Sequence, residues 1–272
     1  MRLTLILLTV VFSFYSCQKN SITGRSQLIL LNESDLQKMS TTEYKTFLTK
    51  NKVVSAGGSR EQEMVTRVGK RIANAVSVFA AEQGKSDLLT GFQWEFNLVD
   101  SKEVNAWCMP GGKVVVYTGL LPVSQNEAGL AIVMGHEIAH AVAKHGNERM
   151  SQGLMQQMGG MAISVAVANK PAETQAIFMD AYGIGSAVGG TLPFSRKHEL
   201  EADRYGLIFA AKAGYDPREA AAFWERMAKI GTGQKPAEIL STHPSDETRI
   251  EKVKQYAQEA MKYYKPVNQS SK

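Results

Sequence analysis

The sequence predicts an α+β domain, mostly helical, with a small sheet whose edge strand lines a cleft. Three observations carry that expectation. Apolar residues recur at helical spacing in several runs that have capping residues at their ends. Two short runs, Phe92–Val99 and Lys113–Thr118, are β-branched and aromatic, and the first alternates as FQWEFNLV, so both read as strands. The run Ala131–Gly146, AIVMGHEIAHAVAKHG, follows Leu130 and is apolar enough to be a buried helix around which the rest is arranged.

Composition bounds the rest. A chain of 272 residues, 44% hydrophobic and 21% charged, can bury one good core and is neither disordered nor multi-spanning. Its net charge of +5 becomes +4 without Arg2 and is spread without a basic block, which argues against nucleic acid as a partner. It leaves at most a weak attraction to anionic surfaces. No internal repeat is present.

Met1–Ser16, MRLTLILLTVVFSFYS, reads as a secretory signal, too short and wrongly flanked for a stable membrane span. Cleavage before Cys17 resembles a bacterial lipoprotein signal, in which the cysteine is acylated and becomes the mature N-terminus. Phe14 stands where leucine is usual, and plain secretion with Cys17 free is the other reading. With Cys17 acylated, Cys108 has no partner and no intramolecular disulfide is expected. Gln18–Ser26 is polar and reads as a tether within an N-terminal segment, 17–58. The main domain is expected over 59–264, with a polar tail at 265–272.

Within the body, Asn32 can cap a helix to about Phe47, and Asn51–Ser59 reads as a loop. Ser59 and Gln62 look like a capping box for a helix to about Ala81, with Val65, Val68, Ile72, Val76 and Phe79 on its apolar face. Pro110-Gly111-Gly112 is turn chemistry before the strand Lys113–Thr118. That strand is either plain core or an edge that adds an extended peptide through main-chain hydrogen bonds. Ser124 and Glu127 form a capping box for the central helix, and Gly146 stands where a C-cap glycine would. Gly153–Ala168 and Thr174–Gly190 read as a closely packed helical hairpin, with Lys170, Pro171, Glu173 and Asp180 interrupting any span. Met155, Met158 and Met161 make a stripe that is either core or an adaptable surface. Ser195 and Gly214 bracket another helix, Asp216-Pro217 starts the next, and Ile239–Ser245 presents His243 before a last helix carrying Arg249.

The chemistry lies in His136-Glu137-Ile138-Ala139-His140, which reads H-E-x-x-H. On a helix the two imidazoles, four residues apart, share one face and can grip one zinc ion. Glu137, about 100° round the helix from His136, can reach a metal-bound water without ligating the metal. A catalytic zinc needs a third protein ligand and an open fourth position. His145 lies about 180° from His136 on a continuous helix and would point away, as a C-terminal cation favoured by the helix dipole. Glu199 is the favoured third ligand, because Asp203 one turn later can accept the other N–H of a zinc histidine. His198 is the alternative ligand, and Glu201 nearby leaves a solvated acidic face as the bland reading.

HEIAHAVAKH and SRKHELEADRYG, with VNAWCMPGGKVVVYTG before them and STHPSDETR after, resemble the zinc metallopeptidase family of the CaaX prenyl protease and HtpX. ITGRSQLILL adds a likeness to the soluble, periplasm-facing lipoprotein branch typified by BepA and LoiP and to the mitochondrial relatives. The resemblance covers about Ile22–Arg249 and its motifs occur in order. It implies a zincin-like (gluzincin) fold holding one Zn2+ per chain through His136, His140 and Glu199. It further implies Glu137 as catalytic base, Asp203 as support for a ligand, and His243 in a loop that approaches the metal. The helical-repeat extension of BepA and the membrane spans of HtpX are lacking, so what depends on them does not carry over.

The function expected is a zinc endopeptidase of the bacterial cell envelope, acting on misfolded or misassembled envelope proteins. Its lipid anchor would face the periplasm, on the outer membrane rather than the inner. Glu137 would accept a proton from the metal-bound water and return it to the leaving amine. His243 has three readings: a histidine that closes the fourth metal position, an oxyanion donor, or a surface histidine on a turn. A non-hydrolytic chaperone on the same scaffold is the alternative from another class, against which the intact Glu137 argues. A zinc hydrolase of non-protein substrates is a third.

Overall fold

The computed structural model describes residues 17–55, 57, 59–158, 171–182, 184, 195–230, 238–243 and 247–266. The signal Met1–Ser16, the loop at 231–237, Ser245, Met161 and most of the glycine-rich hairpin lie outside the described residues.

The segment expected to be a tether is a docked β-hairpin. Strands β1 (Cys17–Lys19) and β2 (Ser26–Leu28) pair antiparallel, with Cys17 opposite Leu28. Asn20 closes the turn by accepting from the backbone N–H groups of Ile22 and Thr23, and both Asn20 and Gln27 are buried. Helix α1 (Glu33–Lys50) follows, capped by Asn32, whose side chain accepts from Ser34 N. Helix α2 (Arg60–Glu82) is capped by Ser59, which accepts from Gln62 N. Gln62 does not complete the box. Its amide instead donates to Phe96 O at 3.1 Å and accepts from Leu98 N at 2.7 Å, tying α2 to the sheet.

That sheet has three strands, β3 (Glu95–Val99), β4 (Ala106–Met109) and β5 (Lys113–Tyr117), in the order β3-β5-β4. β3 and β5 run parallel, while β4 and β5 form an antiparallel hairpin turned by Pro110-Gly111-Gly112, with φ of 78° and 83° at the glycines. β4 escapes the sequence patterns because all four of its residues are buried, so nothing alternates. The consequence corrects one expectation. β5 is the central strand, hydrogen-bonded on both sides, and the edge strand packed on the central helix is β4. Successive side chains go to opposite faces. Phe96, Leu98, Cys108, Val114 and Val116 join the core built by α2 and the central helix, whereas Val99, Trp107, Met109, Val115 and Tyr117 join a second core with α1.

The central helix, α4 (Glu127–Val142), starts later than its capping box implies. Ser124 ends a short helix α3 (Leu121–Ser124), Gln125 takes φ 65°, and Asn126 is the cap, accepting from Gly129 N at 2.8 Å. It also ends earlier. Lys144 adopts φ 56° and the chain turns into α5 (His145–Met158), so Gly146 is not a C-cap. A Cβ on Gly146 would stand 2.0 Å from the Tyr182 ring, and that close approach is what requires glycine there. α6 (Pro171–Ala181) packs on α5, the part of the expected hairpin that is described. Met155 is exposed, so the methionine stripe is not core at that position.

Helix α7 (Arg196–Lys212) is capped by Ser195 and closed at Gly214, with φ 89°. Its packing on α4 is the most extensive of any two elements among the described residues. Gly135 and Gly206 meet there, each so close that an added Cβ would lie 2.7 Å from the other helix's backbone. α8 (Glu219–Ile230), the short α9 (Glu238–Thr242) and α10 (Glu247–Ala260) complete the described fold. α8 begins two residues beyond the expected Pro217, with Asp216 accepting from Arg218 N.

Candidate metal centre

The backbone contact between Gly135 and Gly206 sets the geometry of the site. It brings α7 near enough for Glu199 and Asp203, one turn apart on one face, to reach both histidines of α4. His140 Nε2 lies 3.0 Å from His136 Nε2 and 3.4 Å from Glu199 Oε1. His243, just after α9, brings its Nδ1 to 3.2 Å from His136 Nε2 and 2.9 Å from Glu199 Oε1. All four residues are buried, and their candidate ligand atoms lie within 4.8 Å of one another. Donors about 2.0–2.1 Å from a tetrahedral ion stand about 3.3 Å apart, so these separations fit a zinc-sized ion. His243 is therefore neither exposed nor on a surface turn.

The charges suit a metal. Burial holds the His140 pKa well below the ordinary histidine value, which leaves the ring neutral with a free lone pair. Burial opposes ionisation of Glu199, but Arg249 and His243 outweigh it and keep the carboxyl well below the usual range. Glu137 faces the same space, and burial raises its pKa, making it a stronger base than an exposed glutamate. Its Oε1 is buried without a hydrogen bond among the described residues and lies 3.6 Å from His243 Nε2. Cys108 on β4 is a free, buried thiol whose pKa is raised by burial and then by Glu137, which leaves it unreactive.

The supporting residues divide into those foreseen and those missed. Asp203 Oδ1 lies 2.9 Å from His136 Nδ1, as its spacing implied. Arg249 carries nothing in the sequence pattern that marks it for the site. Its guanidinium forks onto Asp203 at 2.8 and 2.9 Å, reaches Glu199 Oε2 at 2.8 Å, and stacks 4.0 Å over Trp224. Glu199 Oε1 faces His140 and His243, and its Oε2 also lies 3.6 Å from His136 Nε2. His145 reverses the sequence reading. Because α4 stops at Val142, His145 opens the next helix, fully buried, with its Nδ1 3.1 Å from His140 Nδ1 and its Nε2 2.9 Å from Glu201 Oε2. Burial lowers its pKa to about 4 in spite of Glu201, so it is no helix-end cation. His198 turns from the cluster to Glu148, at 2.9 Å, and is not a ligand candidate. Glu201 is not a solvated residue either, being paired with Arg25.

Two histidines and a carboxylate converging on a glutamate base, on two helices above a small sheet, define a metallopeptidase-type centre. The chain belongs to peptidase family M48, whose match runs over residues 59–257. It is 32% identical over 265 residues to the mitochondrial metalloendopeptidase OMA1 of Homo sapiens, covering 94% of this chain and 49% of that protein. The OMA1 of Arabidopsis thaliana is 39% identical over 66% of this chain and 35% of its own length. The beta-barrel assembly-enhancing protease of Escherichia coli is 31% identical over 58% of this chain and 33% of its own length. The chain thus spans about half or less of these relatives.

Proposed function

We propose that this chain is a zinc-dependent endopeptidase of the bacterial cell envelope that cleaves misfolded or misassembled envelope proteins. The observation that carries the reading is the buried convergence of His136, His140 and Glu199 beside Glu137, a carboxylate with one oxygen left without a hydrogen bond among the described residues. His136, His140 and Glu199 would hold the ion. Zinc supplies Lewis-acid polarisation of a carbonyl and a water that ionises near neutrality. Glu137 accepts the water's proton and delivers it to the departing amine, and its burial-raised pKa suits both halves of that transfer. Asp203 and Arg249 hold His136 and Glu199 in place.

An extended substrate would pair with β4, the edge strand beside α4, through main-chain hydrogen bonds that are indifferent to side chains. The likeness to the beta-barrel assembly-enhancing protease favours envelope proteins as substrates, and the signal-like Met1–Ser16 followed by Cys17 favours a lipid anchor. His243 would close the site at rest, since its Nδ1 stands among the ligand atoms. Purified Glu137→Gln is expected to keep zinc and to lose hydrolysis of an unfolded protein such as casein by at least about a hundredfold, the lower end of the usual range of about 10²–10⁴ for a general base. Turnover equal to wild type would exclude Glu137 as the base, and wild type that hydrolyses nothing would leave the chaperone reading.

A further inference from the structure

The N-terminal hairpin reaches the metal centre through side chains. Asn20 Nδ2 and Gln27 Nε2 both donate to Ala143 O, at 2.6 and 2.9 Å, satisfying a carbonyl left open where α4 ends. Between them Arg25 spreads over two carboxylates. Its Nη1 and Nη2 fork onto Glu148 at 2.9 and 2.7 Å, while Nε and Nη2 reach Glu201 at 2.8 and 3.3 Å. Each carboxylate in turn meets one ring of a stacked histidine pair, His145 and His198, whose centroids are 4.5 Å apart. Glu201 meets His145, and Glu148 meets His198, the neighbour of Glu199.

We infer that Arg25 is a positioning residue for the metal centre, acting along the series Arg25, Glu201, His145 and His140 and resting on the reading that His140 ligates zinc. The chemistry of the series runs one way. A His140 that offers its Nε2 lone pair to a metal carries its proton on Nδ1 and donates it to His145 Nδ1, which must be bare. His145 then carries its own proton on Nε2 and donates to Glu201. Arg25 holds Glu201 at that position, because its guanidinium draws two mutually repelling carboxylates, Glu201 and Glu148, onto one counter-charge. Without Arg25 the two carboxylates lose their shared counter-charge. Glu201 and Glu148 would then push apart, His145 Nε2 would lose its acceptor, and the His140 ring would lose the partner that fixes its direction. Partners of this kind, one step behind a metal ligand, usually change metal affinity by about 10–100-fold when removed.

Full-length wild type, Arg25→Ala, Glu201→Gln and Arg204→Ala are loaded with zinc, and two readings are taken on each. The first is the rate of zinc release to a coloured chelator. The second is the rise in melting temperature that zinc produces over the metal-free protein. Arg204 pairs with Glu259 on the exposed side of α7 and controls for loss of any salt bridge. Arg25→Ala and Glu201→Gln are expected to release zinc at least tenfold faster and to show a smaller zinc-induced rise, with Arg204→Ala unchanged in both. A purely structural role for Arg25 would lower the metal-free and zinc-bound melting temperatures equally and leave the rise intact, which overturns the inference. Release from both variants at the wild-type rate overturns it too, as does equal acceleration by Arg204→Ala. Should Arg25→Ala not fold, the isosteric Glu201→Gln decides alone. Wild type that takes up no zinc removes the zinc reading together with this inference; wild type that holds zinc while the variants match it removes this inference only.

Discussion

Glu137 and His243 face one another across the centre at 3.6 Å, and this pair separates the roles that His243 could play. Burial disfavours a charge on the His243 ring, but the Glu199 and Glu137 carboxylates outweigh it and raise its pKa. The ring lies between the two glutamates, and its Nδ1, 2.9 Å from Glu199 Oε1, would compete with water for an ion held there. A histidine that closes the site should, when replaced by alanine, leave zinc bound and raise peptide turnover. One that donates to the tetrahedral oxyanion should cost on the order of a hundredfold. Turnover of a fluorogenic peptide by His243→Ala against wild type distinguishes them, and an increase is expected from the ligand-like placement.

At the scale of elements, the decisive contact is α4 against α7. Gly135 and Gly206 allow the two backbones to touch, and the carboxylates of α7 reach the histidines of α4 as a result. Gly206→Ala would press a methyl carbon to 2.7 Å from His136 N, against backbone that cannot move aside as a flexible side chain would. The helices must then separate. The expected outcome is a loss of about 1–3 kcal/mol in urea unfolding, the usual cost of overpacking, with weaker zinc retention because Glu199 and Asp203 retreat together. Unfolding at the wild-type midpoint with wild-type zinc content would show that the contact is not limiting.

For the whole molecule, the hairpin sets how the proposed acyl anchor meets the enzyme. Cys17 begins β1 opposite Leu28, and Arg25 lies in the same hairpin. A lipid on Cys17 would leave little slack, holding the metal cleft close to the membrane surface instead of at the end of a free linker. None of the helices among the described residues is long and apolar enough to cross a membrane. Attachment through the proposed anchor would need more than one acyl chain for lasting binding. Mass spectrometry of the mature N-terminal peptide from the native envelope should find Cys17 acylated, and Cys17→Ser should be released as soluble protein. An unmodified Cys17 terminus would rule the anchor out.

The sequence by itself determined what is periodic and local. His136 and His140, Glu199 and Asp203, and the caps Asn32, Ser59 and Ser195 are legible because one helical turn decides which residues share a face and which amides need an acceptor. Tertiary structure decided the rest. β4 is buried on both faces and so carries no alternation, and its place at the sheet edge depends on pairing with β5 and not on its own residues. The end of α4 could not be read locally, since Ala143 O is capped by Asn20 and Gln27 from 123 and 116 residues away. That early end is what turned His145 from a helix-end cation into the neighbour of His140. Arg25 and Arg249 look like ordinary surface cations in the sequence. Each acquires a role only because folding gathers two carboxylates around it, and burial makes the Arg249 charge costly to leave unpaired.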